Sequence, residues 1–181
     1  YHLGFAYSQN GEEYKGIEAY KNALKNVPNE KYVLNSLGYS YNKIGEYKKS
    51  IKVCLKALEI DPKFANPWNH LGAAYHGIGE LGKAIESIKM SLKIDPKYSL
   101  AWKFLGSIYF EESDYINARD SFRNLVDLEP NDYIAWYSLS KTLLELGLNE
   151  DAFNAINRSL ELSKDYKPAL ELHEKLLDLK K

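Results

Sequence analysis

A period of 34 residues constrains this chain more than any other feature. Written in rows of that length, the sequence places glycine at Gly4, Gly38, Gly72 and Gly106, with Ser140 and Glu174 next in the column. Pro28, Pro62, Pro96 and Pro130 share a second phase, followed by Lys164. Leu3, Leu37, Leu71, Leu105 and Leu139 precede the glycine column. Tyr7, Tyr41, Tyr75 and Tyr109 follow it, then Leu143. Trp68, Trp102 and Trp136 form another column, between Leu34 and Leu170. Four of the six prolines and four of the eleven glycines share a phase, which chance does not produce, so one structural unit is repeated. Each unit is too small to bury its apolar face alone and must stack on its neighbours.

The unit reads as two helices. Trp102, Leu105 and Tyr109 are spaced i, i+3, i+7 and make one helical stripe. Gly106 sits beside that stripe without a side chain, which lets a second helix approach closely. A turn follows at Gly11, Gly45, Gly79 and Gly147, with Ser113 in the fourth row. The second helix presents Ala118, Phe122, Leu125 and Val126. Small residues at its start (Gly16, Ser50, Ala84, Ala118, Ala152) permit a tight crossing. Proline then ends the unit, because the residue before it is driven out of the helical region; Asp61-Pro62 and Asp95-Pro96 are breakers of this kind.

The row Trp102-x2-Leu105-Gly106-x2-Tyr109, Ala118-x3-Phe122, Pro130 resembles the tetratricopeptide repeat (TPR). The resemblance covers nearly the whole chain and implies an all-α, right-handed solenoid of helical hairpins. Residues 1–166 are expected to hold five repeats: a truncated first one, then 31–64, 65–98, 99–132 and 133–166. Residues 167–181 read as a C-terminal capping helix with Pro168 in its first turn, or as the first half of a further repeat. Leu170 and Leu177 fall in core columns there, and Leu172, Leu176 and Leu179 on other faces. Glu171, Glu174, Lys175 and Asp178 partly supply the polar outer face that a cap needs.

Composition narrows the function. The 181 residues hold 24 basic and 25 acidic side chains, a net charge of −1. So balanced a chain has no strong field, which argues against nucleic acid or membrane as a partner. Only three arginines (Arg119, Arg123, Arg158) stand among the basic residues, so rigid forks for phosphate are scarce. The charge is uneven, positive over 1–90 and negative over 91–181. Opposite signs would permit head-to-tail stacking, but so small a dipole is equally compatible with no role.

No run approaches the ~18 apolar residues of a membrane span. Tyr1 opens the chain with no basic and apolar leader after it, which makes the cytoplasm the expected location and suggests a piece of something longer. The one cysteine, Cys54, shares a column with Tyr20, Ile88, Phe122 and Ile156 and reads as a buried, inert thiol. His70 and His76 are six apart, not the i, i+4 of a helical zinc pair. There is no glycine-rich phosphate loop and no nucleophile with an adjacent base. Glu111 and Glu112, beside Ser113 and Asp114, read as a solvated turn rather than an acid/base pair. The expectation is therefore no enzyme, no cofactor and no metal.

The family resemblance implies a protein–protein interaction scaffold whose first helices line a concave groove. That groove would bind an extended peptide or a helix. The first-helix columns place Asn35, Tyr39, Asn42, Asn66, Asn69, His70 and His76 along its first half. Lys103, Phe104, Phe110, Tyr137 and Lys141 fall along its second. Asparagine both donates and accepts, so it can pair with a peptide backbone of any sequence. Asn35 and Asn69 begin such a ladder, which Lys103 and Tyr137 then interrupt. Phe104 and Phe110 would anchor apolar side chains, and Lys103 and Lys141 would meet a carboxylate.

Some family members hold the acidic C-terminal tails of heat-shock chaperones with a Lys/Asn clamp. No frame of this chain reproduces that clamp. One gives Asn35, Tyr39, His70, Leu100 and Phe104, another Asn69, Ala73, Phe104, Ile134 and Ser138. Chaperone tails are therefore not expected as partners. Two alternatives remain. One is self-assembly into a homo-oligomer through terminal faces containing Leu3, Tyr7, Leu172 and Leu176. The other is service as the recognition arm of an enzyme encoded outside this segment.

Overall fold

The computed structural model describes residues 1–179, and among them it has eleven α-helices and no strand. Helices α1 (His2–Gln9) and α2 (Glu13–Asn26) form the first pair. Four pairs follow: α3 (Lys31–Lys43) with α4 (Tyr47–Ile60), α5 (Ala65–Gly77) with α6 (Leu81–Ile94), α7 (Ser99–Glu111) with α8 (Tyr115–Leu128), and α9 (Tyr133–Glu145) with α10 (Asn149–Leu162). The last helix is α11 (Lys167–Asp178); Lys180 and Lys181, the tail of the expected capping segment, lie outside the described residues. The helices divide into two compact units, one of Tyr1–Pro96 (α1–α6) and one from Lys97 onward (α7–α11).

Each pair is closed by one turn geometry. Gly11, Gly45, Gly79 and Gly147 have φ of 73 to 80°, and Ser113 takes the same left-handed conformation at 60°. The next backbone N–H donates to the carbonyl of the tyrosine column: Glu12 to Tyr7, Glu46 to Tyr41, Glu80 to Tyr75 and Asp114 to Tyr109, each at 2.9 Å. Leu148 donates to Leu143 in the same way at 3.0 Å. This pairing satisfies a helix-end carbonyl that has no partner within its helix.

Inside the pair the glycine column sets the spacing. A Cβ at Gly4 would lie 2.7 Å from the Tyr20 ring, at Gly38 2.6 Å from the Cys54 sulfur, at Gly72 2.5 Å from Ile88 and at Gly106 2.8 Å from the Phe122 ring. Hydroxyl groups reinforce the crossing. Ser50 Oγ donates to the Gly38 carbonyl at 2.9 Å. In the fifth pair the donor changes helix, and Ser140 Oγ donates to the Ala152 carbonyl at 2.7 Å. Cys54 is fully buried beneath Gly38, and burial pushes its thiol up to about 12, so it stays protonated and unreactive.

The tryptophan and proline columns are linked chemically. Trp68 Nε1 donates to the Pro62 carbonyl at 3.0 Å, and Trp136 Nε1 to the Pro130 carbonyl at 2.9 Å. Each indole thus ties its own helix to the loop before it. Serines join the two helices of a pair deeper down: from α6, Ser91 Oγ donates to the Ala65 carbonyl at the start of α5 at 2.9 Å, and from α10, Ser159 Oγ donates to the Tyr133 carbonyl at the start of α9 at 2.7 Å.

In α11 the apolar assignment differs from the sequence expectation. Leu170 and Leu177 are each 41% exposed, whereas Leu176 is 1% exposed and Ala169 fully buried. Ala169 and Leu176 continue the columns of Ala135 and Thr142, which are also buried. Helix α11 packs on α9 and α10, and this face meets them. Besides α9 and α10, no helix among the described residues packs on α11.

Two glycine substitutions test the spacing argument with opposite signs. Gly106→Ala is expected to destabilise by about 1–3 kcal/mol, because the Phe122 ring must shift. Gly82→Ala, in the first turn of α6 with open space around it, is expected to stabilise by about 0.5 kcal/mol. Urea unfolding followed by circular dichroism measures both; equal effects would sink the argument.

Candidate functional site

The two units present different chemistry on their first helices. In Tyr1–Pro96, α3 and α5 pack directly on one another. Asn42 Nδ2 donates to the His70 carbonyl at 2.8 Å, and the Tyr39 ring lies 5.5 Å from the His70 ring. Three of the expected groove residues are thereby brought together. His70 is half-buried, and loss of water pushes its pKa down to about 4, so the imidazole is neutral at physiological pH.

Asn69 corrects the sequence reading. Its column predicts an exposed side chain, but it is only 4% exposed, because α3 packs across this side of α5. The side-chain oxygens of Asn35, Asn42 and Asn69 are all buried without a hydrogen-bond partner. Such an acceptor costs about 1–3 kcal/mol when left unpaired. Three of them on neighbouring turns of α3 and α5 make this the polar hot spot of the unit. Asn66 and His76 are half-buried on the same helix α5.

In the second unit the first helices meet at a cavity of about 260 Å³. Ser107, Phe110 and Glu111 of α7 and Tyr137, Ser138 and Lys141 of α9 line it, with Phe122 of α8 behind them. The Lys141 ammonium lies 4.4 Å from the centroid of the Phe110 ring, a cation–π contact that holds both at the opening. The Phe110 ring also meets Tyr115, edge-on at 5.3 Å. Tyr137 leans on Tyr166 at 5.4 Å. Phe110, Tyr137 and Lys141 are therefore gathered as one site. Lys103 and Phe104 are half-buried on α7 and lie outside this cavity. Glu111, which the sequence places in a solvated turn, stands on its rim. Among the described residues no group of three or more His, Cys, Asp or Glu side chains is placed to hold a metal ion, and no helix is long and apolar enough to cross a membrane.

An ion pair between a buried acid and a solvent-facing lysine escapes the sequence reading altogether. Glu13, at the start of α2, is 7% exposed and paired with Lys43 of α3. Ser8 Oγ donates to it at 3.0 Å, with Ser40 Oγ 3.3 Å from Ser8. Burial works to raise the Glu13 carboxyl, but hydrogen bonds from Lys43, Ser40 and Ser8 outweigh it and hold the group below the ordinary carboxylate value. The signal lies in the columns. Glu13 is the one acid in a column of Tyr47, Leu81, Tyr115 and Asn149.

Paired helices of this length, closed by one turn and crossed at one glycine, define an all-α repeat protein of the helical-hairpin kind. A TPR repeat model matches residues 38–79, and tetratricopeptide repeat models match 65–98 and 105–167, together more than half of the chain. The chain belongs to the tetratricopeptide repeat family, whose members are protein–protein interaction scaffolds. Among solved structures it is similar to MamA, at 26% identity over 97% of each chain with a TM-score of 0.74. It is also similar to TTC0263, a thermophilic TPR protein in Thermus thermophilus, at 19% identity over 97% of this chain and 96% of that one (TM-score 0.74). A third likeness is to YrrB, described as a TPR protein with an unusual peptide-binding site, at 17% identity over 94% and 88% (TM-score 0.74). The last two likenesses show the fold alone. No curated protein matches the sequence.

The Glu13 pair gives a pH test. A carboxyl held below its unfolded value adds stability above the ordinary carboxylate pKa and loses it as pH falls through the lowered folded value. Glu13→Gln is expected to cost about 1–3 kcal/mol at neutral pH. The gap to the parent protein should close in acid, below the ordinary carboxylate value of 4.5. Thermal unfolding across pH reads this; a gap that stays constant into acid would refute the assignment.

Proposed function

We propose that this scaffold captures an extended peptide segment along its first helices, by non-covalent contacts alone. The observation that carries the reading is the set of three unpaired amide oxygens of Asn35, Asn42 and Asn69. Asn35 and Asn42 are half-buried, so a peptide segment reaching them can draw their oxygens to its N–H groups, whereas Asn69 is covered by α3 and takes part only if that helix gives way. A segment that supplies those donors removes a cost already present in the free protein. Tyr39 and the neutral His70 flank the amides and add contact area without adding charge.

In the second unit the cavity between α7 and α9 suits one apolar side chain, received against Phe110 and Phe122. Lys141 and Glu111 on its rim offset one another, so the cavity selects for the apolar side chain rather than for a charge beside it. Asn66, His76, Lys103 and Phe104 are assigned a lesser part, as walls of the two first-helix faces. The absence of a Lys/Asn clamp argues against chaperone tails as the segment.

The test is a titration of the isotope-labelled chain with peptides selected from a random displayed library. Bound peptides are expected to shift the side-chain amide signals of Asn35 and Asn42 together, and the Tyr39→Ala variant, in the same unit, should lose about tenfold or more in affinity. Shifts confined to α2, α4 and α6 would place binding elsewhere and defeat the reading.

A second reading, self-association, is favoured by the exposed apolar residues Leu3 and Phe5 on α1 and Leu170 and Leu177 on α11. Sedimentation equilibrium decides it. Mass that rises with protein concentration and returns to the monomer in Leu170→Ser/Leu177→Ser supports it, and a constant monomer mass removes it.

A further inference from the structure

The near-zero net charge conceals a segregation by face. In Tyr1–Pro96 the first helices α3 and α5 touch, and α2, α4 and α6 lie on the other side of that layer. The outward stripes of these second helices begin at Tyr14, Lys48 and Gly82 and recur at +4, +7, +8 and +11. They hold seven lysines against Glu18, Glu59 and Glu86. The equivalent stripes of α8 and α10, begun at Ile116 and Glu150, hold two arginines against four acids. The sign reverses between the units although the fold does not.

Two further features narrow what the lysine face meets. Leu55 and Met90 stand among the lysines, 41% and 37% exposed. Aliphatic groups between long lysine stems are the composition of a surface that settles at a lipid–water boundary, with stems along the apolar layer and ammonium groups at the phosphates. The face also has no arginine. Lysine suits a diffuse anionic sheet, whereas reading nucleic acid draws on bidentate forks and stacked aromatic rings. Tyr14 is the one aromatic residue in the three stripes.

We infer that the second-helix face of Tyr1–Pro96 is a peripheral docking surface for an anionic lipid bilayer. It leaves the first helices, where the peptide reading lies, turned away from the lipid. No helix enters the bilayer; attraction of the lysines to acidic headgroups provides most of the binding, and Leu55 and Met90 add a shallow apolar contact.

The experiment is co-sedimentation of the full chain with phosphatidylcholine vesicles, with and without phosphatidylserine. The chain is expected to pellet with the serine-containing vesicles only, and to be released as salt shortens the reach of the charges. Lys48→Glu/Lys52→Glu, at exposed positions of α4, should lower the partition coefficient about tenfold or more. Lys48→Arg/Lys52→Arg should keep it, and Leu55→Ser should weaken it severalfold at unchanged charge. Circular dichroism checks that each variant keeps its helices.

Absence of pelleting, equal pelleting with uncharged vesicles, or full binding by the Lys→Glu variant would overturn the inference. Duplex DNA or polyglutamate retaining the chain more tightly than the vesicles would give the face to that polyanion and overturn it too. Growth in mass without vesicles, abolished by the same variant, would assign the face to the acidic stripe of a second copy instead.

Discussion

The distance between the two helices of a pair governs everything else in this chain. It is set where Gly4, Gly38, Gly72 and Gly106 lie against Tyr20, Cys54, Ile88 and Phe122, with no room for a side-chain carbon. That crossing fixes where the turn must fall, and so demands a left-handed residue at Gly11, Gly45, Gly79, Ser113 and Gly147. It also fixes which residues of the first helix point away from the pair, and so which are available to the next pair and to a ligand. The tryptophan–proline hydrogen bonds then hold the third and fifth pairs to the loops that deliver them. Side-chain identity elsewhere is free to vary, which is how one backbone repeat supports an amide-rich face in one unit and an aromatic, lysine-bearing cavity in the other.

Features that depend on the backbone alone were legible in the sequence. The turn position in the fourth row is an instance. Serine is a poor left-handed residue, yet the phase of its neighbours assigns it the glycine's role, and its φ of 60° agrees. Features that depend on what covers a residue were not legible. Asn69 and Asn35 share a column, but the neighbouring helix hides Asn69, and no pattern within one helix reports that cover. Leu170 and Leu177 occupy columns that are more covered in earlier rows, yet both are exposed on α11, and the repeat pattern does not report that difference. The Glu13–Lys43 pair was hidden for a related reason: an acid in a mostly apolar column looks like an exception until its partner, 30 residues on, is seen beside it.

Charge gave the most misleading first impression. A total of −1 is a sum over faces, and a sum says nothing about segregation. The lysines of the first unit gather on α2, α4 and α6, and all three arginines lie on α8 and α10. Solubility responds to the total, but a planar partner responds to the face it meets.

The exchange of hydroxyl donors at the helix crossing has a consequence for how such an array changes over time. In the second pair the serine sits on the second helix (Gly38 with Ser50), and in the fifth on the first helix (Ser140 with Ala152). The third and fourth pairs have Gly72 with Ala84 and Gly106 with Ala118, and thus no hydroxyl at all. Glycine with alanine is therefore a neutral crossroads between two polar solutions. A crossing can gain or lose the second-helix hydroxyl through one substitution, whereas a hydroxyl on the first helix also requires the facing side chain to give way, because the glycine column leaves no room for a Cβ. Duplicated repeats can drift apart along the first of these routes while every copy stays foldable, which gives a chain of identical beginnings a set of individually shaped surfaces.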